Sequence, residues 1–161
     1  LVLLAPFWRL EAGWRGKLLP ILKWLFPHFR PFEKADFSDP AVQKSVRSFA
    51  PDIALDDPEI QAALRQLSIP SRVIDELRKA GLDAFRSASR ITIPALIVQG
   101  IQDVLVKPAY TRELSQRLLG PVQYREVQGG HELLDTEGDA WPELTTAIIQ
   151  FIAPFAPSPP D

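Results

Sequence analysis

The chain has 161 residues, 46% of them hydrophobic, which is enough for one domain with a buried core. A formal net charge of −2 offers no basic surface for nucleic acid, and no apolar run reaches the roughly 18–20 residues that a membrane-spanning helix needs. Cysteine is absent, which excludes disulfides and thiolate metal sites.

The chain opens at Leu1 in a strand-like apolar run that stops at Pro6, and it contains no methionine. Leu1 to Ala5 predicts a strand buried on both faces, with Phe7 and Trp8 at its C-terminal end. Residues 7–90 predict several short helices and proline-rich turns without a convincing strand. Leu18, Leu19, Ile21, Leu22, Leu25 and Phe26 form a dense apolar cluster there, with Trp14 and Trp24 beside it, and Pro27 and Pro31 bracket a break at His28. Asp39-Pro40 and Asp57-Pro58 each read as an N-cap followed by proline at the first helical position. Val42, Val46 and Phe49 follow the first cap at helical spacing; Ile60, Leu64 and Leu67 follow the second. A third helix is expected from Ser71 to about Ala88, with Val73, Leu77, Ala80 and Ala84 on its apolar side and Gly81 weakening its middle.

From Ile91 the periodicity changes. Ala95 to Gln99 predicts a buried strand entered after Pro94, where a missing N–H does least harm. Pro108 opens a helix carrying Tyr110, Leu114 and Leu118, closed by Gly120 and Pro121. Val122 to Val127 interleaves polar residues and predicts a strand with one wet face or edge. Pro142 opens a last helix with Leu144, Ile148, Phe151 and Ile152 as its stripe, and Pro154 to Asp161 reads as a frayed tail. Strand, helix, strand, helix is α/β architecture with a parallel sheet.

Two polar residues stand just past the two strands of this part. Asp103 follows Gly100 by three positions, and His131 follows Gly129-Gly130. Each has a plainer reading alone: most single histidines are structural, and an aspartate after a strand commonly serves a turn or cap. Together they occupy one edge of a parallel sheet, where open α/β sheets bind ligands. They read as a candidate catalytic pair, a base and its orienter, with the carboxylate holding one ring proton so that the other nitrogen can accept one.

The run Ile93-Pro94-Ala95-Leu96-Ile97-Val98-Gln99-Gly100-Ile101-Gln102-Asp103 resembles the strand and acid loop of the α/β-hydrolase family, and Gly129-Gly130-His131-Glu132 resembles its histidine loop. Leu1 to Pro6 is similar to the strand just before the family's cap, and residues 7–90 sit where the helical cap is inserted. The resemblance is to the esterase, monoacylglycerol-lipase and serine-aminopeptidase-like branch, and to the C-terminal half of a member only. It implies an α/β-hydrolase core from residues 1–6 and 91–153, a helical cap at 7–90 and a tail at 154–161. It also implies a Ser-Asp-His triad with Asp103 and His131 as two members, a small-molecule ester or acyl substrate, and neither cofactor nor metal. Phe7 and Trp8 are expected to contact substrate.

The family's serine lies in a G-x-S-x-G elbow that precedes the acid, and no serine of this chain has those flanks. The nucleophile and the oxyanion loop are therefore expected upstream of Leu1, in a longer polypeptide, and this chain alone is expected to be inactive. An upstream aspartate in place of serine would make the parent a dehalogenase or epoxide hydrolase. A non-catalytic binding module on the same fold is the other alternative. His28 has no partner motif, Glu132 reads as a solvated or loop-fixing group rather than a second acid, and Asp135, Glu137 and Asp139 read as a solvated turn with cap charges rather than a metal cluster.

Overall fold

The computed structural model describes residues 1–9, 27–47, 50 and 52–155. The elements in chain order are β1 (Val2–Leu4), β2 (His28–Phe29), α1 (Pro40–Arg47), α2 (Pro58–Gln66), β3 (Ile69–Pro70), α3 (Ser71–Ser87), β4 (Ala95–Gly100), α4 (Pro108–Ser115), β5 (Val122–Val127) and α5 (Ala140–Ile152). The chain forms two compact units: Leu1–Trp8 with Ala84–Asp161, and Arg9–Asp83. The apolar cluster expected between Trp14 and Phe26, and Phe49, lie outside the described residues.

The first unit is built on a parallel sheet in the order β1-β4-β5. Central β4 is buried at all six positions, which its near-continuous apolar sequence dictates. Side chains alternate across a strand, and the core divides accordingly. Leu96 and Val98 pack with Ala140, Leu144 and Phe151 of α5; Ala95 and Ile97 pack on the other face with Trp8, Ala88, Leu114 and Leu118. Each such large side chain contributes about 1.5–3 kcal/mol by leaving water. β5 carries the wet edge that its polar residues predict, with Gln123, Arg125 and Glu126 exposed.

β1 is shorter than the sequence predicts, and its three residues are only half-buried. It is followed by Ala5, whose φ of 41° is the one positive value outside glycine among the described residues. Such a turn costs an alanine about 1–2 kcal/mol. Ala5 still donates its N–H to the Val98 carbonyl at 2.8 Å, so the ladder holds up to the bend. The last helix begins at Ala140, two residues before Pro142, and Ile152 points to solvent while Leu144 and Phe151 are buried.

In the second unit both Asp-Pro caps form: Asp39 accepts from the Ala41 N–H and Asp57 from the Glu59 N–H, each at 2.8 Å. A small core gathers Phe37, Val46 and Leu55. Leu67 caps the C-terminus of α2 and is exposed, whereas Ile60 and Leu64 are half-buried. The sequence also misses a strand pair here. His28 and Phe29 form a two-residue antiparallel ladder with Ile69 and Pro70, too short to register as periodicity.

The face of α3 differs from the expected one. Val73 and Leu77 are half exposed, and Asp75 and Gly81 are buried. Asp75 is tolerated inside because Arg78 (2.9 Å) and Lys79 (3.3 Å), on the same helix, reach its carboxylate.

Candidate functional site

The site grows out of the register. β4 and β5 run parallel with Gly100 level with Val127, so both strands end at the same edge. Three residues beyond Gly100 lies Asp103; four beyond Val127 lies His131. Backbone bonds hold the two loops together: Ile101 N–H to Val127 O and Gln102 N–H to Gly129 O, both at 3.0 Å.

Glycine is what lets the loops approach. A Cβ on Gly100 would sit 2.1 Å from the Gly130 carbonyl oxygen and 2.7 Å from that of Gly129. Gly129 has φ +126°, a conformation L side chains rarely adopt. The histidine loop therefore lies directly over the end of β4, in space that any larger residue at position 100 would occupy.

The two candidate residues meet. His131 Nδ1 lies 2.9 Å from Asp103 Oδ2. The Asp103 side chain is fully buried, whereas the His131 side chain is 37% exposed. Asp103 Oδ1 accepts the N–H groups of Leu105 and Val106 at 2.8 Å each, and Oδ2 also accepts from Gln99 Nε2 at 3.0 Å. The carboxylate's acceptor positions are filled, which fixes its plane. With Nδ1–H donating to Oδ2, Nε2 keeps its lone pair, and among the described residues nothing bonds to it. A ring in this state can take a proton from a group presented at the rim.

Sequence reasoning misses three features around this pair. The first is Gln99, read only as a strand end. It is buried and also donates to the carbonyls of Gly100 and Val106, while Thr111 Oγ1 donates to its Oε1 at 2.6 Å. The second is the apolar character of the acid loop, where Ile101, Val104 and Leu105 are all exposed, as is Leu134 in the histidine loop. Large apolar side chains left in water beside a polar pair are the usual lining of a small-molecule site. The third is Glu132, whose Oε1 is buried without a hydrogen-bond partner among the described residues.

Of the two aromatic residues expected to contact substrate, Trp8 is placed inside the fold. It stacks on Phe85 at 3.9 Å between centroids, its indole N–H donates to the Tyr110 carbonyl at 2.7 Å, and 5% of it is exposed. Phe7 is half-buried. His28 is exposed in β2. Asp135 caps its own turn by accepting the Glu137 N–H, and among the described residues no group of three or more acidic, histidine or cysteine side chains could hold a metal ion. A groove of about 440 Å³ runs between β5 and α5, lined by Arg125, Glu143 and Thr146 among others; it includes neither member of the pair.

Comparison with known proteins agrees with this architecture. The family model for serine aminopeptidase, S33, matches residues 1–138. No curated protein matches the chain. Among solved structures, the monoacylglycerol lipase of Paleococcus ferrophilus is 20% identical with a TM-score of 0.55, over 96% of this chain and 58% of that one. A soluble variant of the Saccharomyces cerevisiae monoglyceride lipase, solved with a substrate analogue, is 16% identical with a TM-score of 0.59, over 94% and 54%. DcsB, solved with its substrate analogue, is 15% identical with a TM-score of 0.61, over 97% and 57%. The chain spans little more than half the length of these structures, and at such identities they establish the fold. With the family model covering most of its length, the chain belongs to the serine aminopeptidase S33 family of α/β-hydrolases.

Proposed function

We propose that this chain supplies the acid and the base of a hydrolase that cleaves carboxylic esters or similar acyl bonds, its serine nucleophile being contributed by polypeptide upstream of Leu1. The observation that carries this reading is the 2.9 Å contact between His131 Nδ1 and Asp103 Oδ2, with Nε2 open at the sheet's C-terminal rim. In the proposed reaction the serine hydroxyl attacks the acyl carbonyl carbon while Nε2 of His131 takes its proton. Asp103 holds the ring and stabilises the imidazolium. The proton then passes to the leaving alkoxide as the C–O bond breaks, and water repeats the sequence on the acyl-enzyme. The oxyanion donors belong to the same upstream part.

An ester substrate is favoured by the apolar rim formed by Ile101, Val104 and Leu105, and by the lipase names of two of the structural relatives. The family label, serine aminopeptidase, names acyl chemistry of the same kind on an amide. Residues 9–83 take the part of the cap in this reading.

The test is hydrolysis of short p-nitrophenyl esters by the protein that carries this chain, compared with its His131→Ala variant. Loss of a triad base is expected to lower kcat by about 10⁴-fold or more. Unchanged ester hydrolysis in the folded variant removes His131 from the role. Turnover of haloalkanes or epoxides instead of esters would transfer the nucleophile's part to an aspartate.

A further inference from the structure

The geometry points to Gln99, itself held by Thr111, as the positioning residue that aims the Asp103 carboxylate at His131. This inference rests on the acid–base reading above and adds two residues to it.

Gln99 lies on the same face of β4 as Ala95 and Ile97, the face toward α4, and is fully buried, as is Thr111. Its amide orientation follows from its surroundings. The nitrogen faces three groups that can only accept: the Gly100 and Val106 carbonyls, at 3.1 and 3.0 Å, and Asp103 Oδ2 at 3.0 Å. An oxygen there would oppose three acceptors, so Nε2 must occupy the place. The amide oxygen consequently faces Thr111 Oγ1, which donates to it. One polarised line results, Thr111 hydroxyl to Gln99 amide to Asp103 Oδ2, and the oxygen at its end is the one that receives His131 Nδ1–H.

The division of labour on the carboxylate makes Gln99 specific. The Leu105 and Val106 N–H groups hold Oδ1, so they fix where the carboxyl group sits. Gln99 is the only other described group that bonds Oδ2, the oxygen facing the ring. By also bonding the carbonyls at both ends of the segment 100–106, it ties the acid loop's path to the direction of that oxygen. A wholly structural glutamine would satisfy the loop carbonyls without touching Oδ2.

The experiment measures kcat, KM and the downfield Nδ1 proton resonance of His131 in three variants of the protein carrying this chain. Gln99→Met keeps the length and loses both donors. It is expected to lower kcat ten- to a hundredfold with KM within about twofold, and to shift or broaden the Nδ1 proton signal. Thr111→Val keeps the volume and loses the hydroxyl, with kcat about threefold lower; Thr111→Ser keeps the hydroxyl and returns kcat to within about twofold of the parent. A folded Gln99→Met variant with unchanged kcat and an unmoved proton signal overturns the inference while leaving the hydrolase reading intact. If the parent hydrolyses no acyl substrate, that reading fails, and the proton signal alone decides the role of Gln99. If Gln99→Met does not fold, the Thr111 pair decides: equal kcat in the Val and Ser variants overturns the inference.

Discussion

The sheet unit and the helical unit bury polar groups in opposite ways. In the sheet unit Gln99, Asp103 and Thr111 are buried together and bond mainly to one another, to the loop backbone and to His131. In the helical unit the buried polar side chain among the described residues is Asp75, neutralised by cations one helical turn away. The first arrangement links β4, α4 and two loops; in the second, two cations of the aspartate's own helix reach its carboxylate. A network that spans several elements transmits any displacement to its end, and here that end is a histidine ring. The sheet unit should therefore be the intolerant part of the molecule and the helical unit the tolerant one.

The sharpest way to break this contrast is Gly100→Ala. Its methyl group would meet backbone oxygens at 2.1 and 2.7 Å, atoms that cannot swing aside as a side chain would. We expect a loss of ~3 kcal/mol, the upper end for overpacking. Activity should fall about a hundredfold, because moving a reacting group by about 1 Å costs that much. Denaturant titration and ester assays check the two separately, and a variant of parental stability and rate would show that the histidine loop does not depend on the close approach at Gly100. Leu144→Ala should cost ~2–5 kcal/mol, since Leu144 is fully buried against β4 and its removal leaves a cavity.

Changes in the helical unit should be smaller. Asp57→Ala removes the bond to the Glu59 N–H and should cost ~1 kcal/mol, read as a lower denaturant midpoint at unchanged slope. Val73→Ser should stay within about 0.5 kcal/mol, because the side chain is half exposed. A cost above about 2 kcal/mol for Val73→Ser would restore the apolar face expected from sequence and with it a larger core on that side.

The same contrast explains what could be read from the residues alone. β4, the glycine at its end and the Gly-Gly turn before His131 are legible because buried parallel strands have an unbroken apolar signature, and sharp turns need glycine at fixed places. The role of Gln99 is not legible, since its partner Thr111 lies twelve positions away on another element and nothing local marks the pairing. An aromatic residue at a strand's end is equally suited to a ligand or to a core, and nothing local marks the stacking of Trp8 on Phe85, seventy-seven positions on. The face of α3 was misread for a related reason. Ile74, Arg78, Gly81, Phe85 and Ala88 form a helical stripe offset by one position from Val73, Leu77, Ala80 and Ala84. A glycine and an arginine make this less exposed stripe look the more polar of the two. Burial of a charged or small residue depends on what faces it, and one helix's own periodicity does not contain that.

In the proposed mechanism Asp103 holds His131 in one tautomer with Nε2 free. Nitrogen-15 NMR of the His131 ring, above the pH at which the imidazole loses its charge, measures this directly. A protonated Nδ1 and an unprotonated Nε2 are expected, with that preference lost in Asp103→Asn. A ring protonated on Nε2, or one whose tautomers are unaffected by replacing Asp103, would contradict it.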